Sequence, residues 1–134
     1  MCSSDLSGRI RFCLRPDPEG EIGVGVFVRF DTKSRRDDFV SALRKLGLQA
    51  GAPGGSVILP IQEYIEQKRT VHPAWPTFTS ERGKTIRYGA ASCPRTIQIL
   101  GQFGGVHVGP KFTKEDTDAV VEGVRKVYPK VAGV

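Results

Sequence analysis

From residue 22 to residue 30 the chain alternates. Ile22, Val24, Val26, Val28 and Phe30 take one set of positions, and Gly23, Gly25, Phe27 and Arg29 take the other. A period of two puts successive side chains on opposite faces, so this stretch predicts a half-buried strand. Gly23 and Gly25 share its second face, where something is expected to pack closely. The period then changes. In "TKSRRDDFVSALRKLGL" the apolar residues Phe39, Val40, Leu43 and Leu46 recur at helical spacing. Thr32 or Ser34 can cap that helix, Asp37 and Asp38 sit near its positive end, and Gly47 ends it. A strand feeding directly into an amphipathic helix is an α/β or α+β signature.

"RPDPEG" (15–20) reads as a turn, and "QAGAPGGSVILP" as a loop leading into a short apolar strand, Val57–Leu59. "IQEYIEQKRTV" predicts a short helix turning Ile61, Tyr64 and Ile65 inward. The stretch "HPAWPTFTSERGKTIRYG" (72–89) follows neither period, and Pro73 and Pro76 argue against regular structure in it. Helical spacing returns in "SCPRTIQILGQF", with Ser92 as cap, Pro94 in the first turn, and Ile97 and Leu100 on the buried side. "GGVHVGP" is a short strand bounded by glycines. The last helix opens on a Thr113/Asp116 capping box and carries Val120, Val124 and Val127 on its apolar face. Arg125 and Lys126 are placed in its last turn, and Pro129 is expected to stop it. The predicted fold is α+β: a small antiparallel or mixed sheet packed against about three to four helices in one domain, residues 7–134.

Composition narrows the function classes. At 134 residues the chain can bury a modest core. No apolar run reaches the roughly 18 residues of a membrane span, and the N-terminus lacks the apolar centre of a signal peptide. The expected compartment is the cytoplasm. The three cysteines, Cys2, Cys13 and Cys93, form neither a disulfide framework nor a zinc spacing. A net charge of +6 admits a polyanionic partner, but the basic residues are scattered, which favours a solvated basic face. "CSSDL" at the N-terminus matches what a sequencing adapter encodes in one frame (TGC TCT TCC GAT CTN). Residues 1–6 are therefore expected to be non-native, with the true protein continuing further upstream.

P-loop, dinucleotide-binding, HExxH and GxSxG motifs are missing from the sequence. The paired carboxylates at 37–38 and 115–116 lie at helix starts, where capping explains them. Cys93 stands at a helix start, where a thiolate is stabilised, but no base is identifiable for it. His107 lies in an alternating strand pattern. His72 stands apart, because Pro73, Trp75 and Pro76 stiffen the loop around it, as a binding loop requires.

The block "HPAWPTFTSERGKTIRYGAASCPRTIQIL" followed by "VHVGPKFTKEDTDAVVEGVRKVYP" resembles the C-terminal part of the DegT/DnrJ/StrS-type pyridoxal-phosphate aminotransferases. The likeness rests on His72, Cys93–Pro94, Val106–Val108, Thr113–Asp116 and Lys126–Tyr128, and on their order, over most of residues 20–129. It implies the small C-terminal domain of a fold-type I aminotransferase, truncated at its N-terminal side. In that family the Schiff-base lysine, the aspartate under the pyridine nitrogen and the phosphate-binding groups lie on a large N-terminal domain. None of the eight lysines here has such a context. The implied chain is therefore a non-catalytic piece, with no pyridoxal phosphate bound alone, whose whole enzyme is a homodimer acting on an amino or keto sugar. The resemblance assigns the substrate-side wall to His72, with Trp75, Arg82, Arg87 and Tyr88 as neighbours; either arginine could hold a carboxylate or phosphate bidentately. The competing readings are a small basic module for nucleic acid or a phosphorylated ligand, and a regulatory α+β domain that binds a small molecule. Membrane association is not expected, and nucleic acid is the weaker partner.

Overall fold

The computed structural model describes residues 10–13, 17, 19–20, 23–72 and 76–133. Residues 1–6, Ile22, Pro73 and Trp75, which carry expectations stated above, lie outside the described residues. The chain folds as two compact units, residues 1–52 with 101–134, and residues 53–100. The class is α+β.

In the first unit a three-stranded antiparallel sheet has the order β1 (Gly25–Arg29), β3 (Phe103–His107), β2 (Ala50–Gly51). Val26 faces Val106 across the ladder and Val28 faces Gly104. Phe12 forms a single antiparallel bridge to Val28 on the outer side of β1. Two helices complete the unit, α1 (Lys33–Lys45) and α6 (Lys114–Ala132). The core joins Val28, Phe30, Phe39, Val40, Leu43, Val106, Val120, Val127 and Tyr128. Phe39 and Leu43 are wholly buried, and each such side chain contributes about 1.5–3 kcal/mol by leaving water. Phe30, Phe39 and Tyr128 stack as a triad with ring centroids 4.9, 5.5 and 6.1 Å apart, joining the end of β1 to both helices.

Both N-caps follow the expected chemistry, although Asp37 and Asp38 lie past the first turn of α1 rather than at its start. Thr32 accepts from the Arg35 N–H, and the Thr113/Asp116 capping box is complete in both directions. Pro129, however, does not end α6; the helix runs on to Ala132 and closes at Gly133 in a left-handed cap. Proline removes one backbone donor, but burial of Val127 and Tyr128 on one side and packing of Val131 and Ala132 on the other hold the turn around it. Arg125 and Lys126 therefore lie nearly two turns before the end, and Lys130 is the basic residue of the last turn. The strand alternation also reaches less far than expected. Val28 and Phe30 are buried, whereas Val24 and Val26 on the same face are 63% and 40% exposed.

β3 is approached closely from two directions. A Cβ on Gly105 would lie 2.0 Å from the Val26 carbonyl oxygen of β1. One on Gly104 would press against Val40 and Arg36 of α1. Arg36 is itself buried; its Nε lies 2.7 Å from Asp37 Oδ1 without hydrogen-bond alignment, and its Nη1 reaches the Phe103 carbonyl at 3.5 Å.

Because backbone rather than a flexible side chain blocks the added methyl group, Gly105→Ala should destabilise the first unit by about 3 kcal/mol or more, read as a lower urea midpoint. The hydrogen bond from Lys33 to Asp37 (2.8 Å), partly opposed by burial and helped by the charges of Arg36 and Lys33, holds the Asp37 carboxyl below its ordinary value. A lowered carboxylate stabilises the fold above its unfolded-state pKa, and the gain disappears as pH falls through the folded value. Asp37→Asn should therefore flatten the loss of stability between neutral pH and about pH 3.

Candidate functional site

The residues expected to carry function all fall in the second unit, which is built from short pieces. Two 3-10 turns, Gly55–Val57 and Leu59–Ile61, stand where a strand was expected. Only Ile58 of that apolar run is buried; Val57 and Leu59 are exposed, and Pro60 fixes the turn. After α2 (Glu63–Glu66), the stretch expected to be irregular contains two single-turn helices, α3 (Pro76–Thr79) and α4 (Glu81–Thr85). Pro76 is the first residue of α3, a position where its missing N–H costs nothing. Ser80 caps α4 by accepting from the Gly83 N–H at 3.0 Å. Tyr64, expected to point inward, is 48% exposed. A third 3-10 turn, Ala90–Ser92, precedes α5 (Pro94–Gly101). Ser92 sits in that turn and donates to the Gly89 carbonyl at 2.7 Å instead of capping the helix.

The candidate residues take up different stations. His72 is exposed in a bend, where its carbonyl accepts from the Thr70 hydroxyl at 2.8 Å. Arg82 is exposed on α4, and Arg87 is exposed two residues past its end. Tyr88 is half-buried, its ring edge-on to Phe78 with centroids 5.8 Å apart. Arg82, Arg87 and Tyr88 thus share one continuous segment, and His72 lies upstream of it. Cys93 is half-buried just before α5, and His107 belongs to the first unit, edge-on to Phe27 at 5.2 Å. A shallow groove of about 610 Å³ in the first unit, among Leu48, Val106, Phe112 and Val120, contains none of the candidates.

Sequence reasoning missed what holds this segment. α2 ends in a Schellman cap: the Lys68 N–H donates to Ile65 O at 2.9 Å and the Arg69 N–H to Tyr64 O at 2.8 Å. Lys68 occupies the left-handed position of that cap, φ 55°, and is the one non-glycine residue with positive φ among the described residues. Such backbone costs an L-residue roughly 1–2 kcal/mol. Its side chain crosses to α4, where Nζ donates to the carbonyls of Gly83 and Lys84 at 2.9 Å each. The Thr85 hydroxyl takes the neighbouring Arg82 carbonyl at 2.8 Å. Further on, the Gly89 N–H donates to Pro60 O at 2.7 Å. The "QKR" run and Gly89 were visible in the sequence, but nothing there told which lysine turns inward.

Chemically, the segment offers two exposed guanidinium groups on an anchored backbone, suited to a carboxylate or phosphate. Among the described residues no group of three or more His, Cys, Asp or Glu is placed to hold a metal ion. No described helix is long and apolar enough to cross a membrane. The described lysines do not fit a pyridoxal aldehyde: Lys68 is committed to two carbonyls, and the other seven are exposed. What fold and site together define is a small α+β protein with an anchored, arginine-bearing segment. Comparison with protein-family models and with curated proteins finds no match.

Gly89 generates a prediction of its own. Its φ is 105°, and an added Cβ would come within 2.6 Å of Glu66 Oε1. Gly89→Ala should cost about 1–3 kcal/mol and loosen residues 86–92, read by chemical denaturation and by amide exchange over that segment.

Proposed function

We propose that this chain supplies the substrate-side wall of a pyridoxal-phosphate aminotransferase of the DegT/DnrJ/StrS type. It is read as part of the small C-terminal domain of a cytoplasmic, homodimeric enzyme whose cofactor-bearing domain is not in this sequence. The single observation that supports the reading most is the anchored segment 80–89 with Arg82 and Arg87 exposed. A second domain that closes over a cofactor needs groups of this kind, held in place before substrate arrives. The exposed apolar residues Phe12 and Val24, beside a surface groove of about 570 Å³ in the first unit, suit a domain that docks on a larger one.

On this reading pyridoxal phosphate, bound elsewhere, supplies the electron sink. This chain's residues bind and orient. Arg82 or Arg87 takes the anionic group of an amino- or keto-sugar substrate, Tyr88 borders the sugar, and His72 donates or accepts a hydrogen bond at its edge; Trp75 is a neighbour by resemblance alone.

The test begins upstream. The gene should continue in frame before Ser7 into a lysine-bearing cofactor domain; a natural promoter and start codon immediately before Ser7 would overturn the reading. In that longer protein, Arg87→Ala or Arg82→Ala should raise KM for an anionic substrate about ten-fold or more, with a smaller change in kcat. Salt-sensitive oligonucleotide binding by the present chain would favour the basic-module reading instead.

A further inference from the structure

We infer that Lys68 is a positioning residue: its ammonium clasps the end of α4 and so fixes where Arg82, Arg87 and Tyr88 are presented. The clasp stands on geometry, and its consequence for a substrate rests on the functional reading above.

Lys68 occupies a position that the backbone reserves for glycine. The left-handed position of a Schellman cap is where glycine turns the chain without a steric penalty. Lysine there makes the same two backbone bonds at φ 55°. What it adds is an amine that reaches 15 and 16 residues along the chain to Gly83 O and Lys84 O. Those carbonyls lie in the last turn of a five-residue helix, where intrahelical donors run out. A helix that short does not persist on its own propensity. Ser80 closes its N-terminal end, the Thr85 hydroxyl takes the Arg82 carbonyl, and Lys68 takes the next two. Of these three, only Lys68 ties α4 to another element. The stiff turn at the end of α2 gives the tie a fixed origin. Gly89, bonded to Pro60, fixes the far end of the segment. Between these two points lie Arg87, Tyr88 and the exposed face of α4.

Three variants of the present chain separate the side chain's work from the backbone's. Lys68→Gly relieves the strained backbone and removes the ammonium. Lys68→Met keeps the strain and the stem without the ammonium, and Lys68→Arg keeps two donors on a cation. Amide hydrogen exchange over residues 81–88, with tryptic cleavage after Arg82, Lys84 and Arg87, reads the release of α4. Lys68→Gly and Lys68→Met should both accelerate exchange there about ten-fold or more. Lys68→Arg should stay within roughly three-fold of the parent, because a guanidinium can donate to the same carbonyls. Exchange in residues 103–107 of the first unit should be unchanged in all three, which separates local release from unfolding. Unchanged exchange at 81–88 in both Lys68→Gly and Lys68→Met overturns the clasp, and so does acceleration in Lys68→Arg equal to that in Lys68→Met. No substrate enters the measurement. Failure of the aminotransferase reading therefore leaves its outcome intact, and failure of the clasp is visible whatever the gene encodes upstream.

Discussion

The first unit depends on how closely its central strand can be approached. β3 has neighbours on both edges and α1 across one face; at Gly105 backbone leaves no room for a side chain, and at Gly104 one would crowd Val40 and Arg36. Gly105 lets the backbone of β1 come in at Val26, and Gly104 lets Val40 and the stem of Arg36 lie against the strand. With the ladder and α1 set at this distance, Phe30 at the end of β1 meets Phe39 and Tyr128, and the core closes around them. The approach of α6 uses the same device, because buried Gly123 leaves space filled by Leu48 and Leu43. Close packing of this kind leaves little tolerance for added volume.

The second unit is held differently. Among its described residues only Ile58 is a buried apolar side chain; Ile61, Ile65, Phe78, Tyr88, Ile97 and Leu100 are half-covered. Order comes instead from polar ties across short elements: Lys68 to the end of α4, Gly89 to Pro60, Ser80 to Gly83, Ser92 to Gly89. Such ties are individually modest, since each replaces a bond to water, but they are directional. They fix a backbone path without demanding a thick core, and functional side chains can then project from a scaffold of few residues. The cost is that local opening needs the loss of only one or two bonds.

This division explains what could be read from the sequence. The first unit follows patterns that repeat over many residues: the alternation of β1, the heptad-like stripe of α1, and the Thr113–Asp116 box. Such signals average over several turns and survive local exceptions, so class, order and caps were all readable. They failed at margins, where Val24 and Val26 lie beyond the cover of the helices and where packing carried α6 past Pro129. In the second unit no element between Gly55 and Thr85 exceeds five residues, which is too few for a period to declare itself. Arg82, Arg87 and Tyr88 could be singled out by chemistry and do share a segment. Lys68 could not, because composition offers no reason to place a lysine where the backbone asks for glycine.

The two kinds of cationic contact in this chain also differ in what weakens them. Lys33–Asp37, Arg11–Asp31 and Lys114–Asp118 join exposed partners, so salt screens them and each contributes little. Lys68 is half-buried, and its acceptors are neutral carbonyls whose alternative partner is water, not another ion. Added salt therefore acts on the surface pairs far more than on the tie to α4. The orientation of the arginine-bearing segment is thus set by a contact that salt scarcely weakens, while the guanidinium groups it presents remain open to screening and to anions. On the proposed reading, that separation keeps a ligand's own charge from competing with the bonds that hold its site.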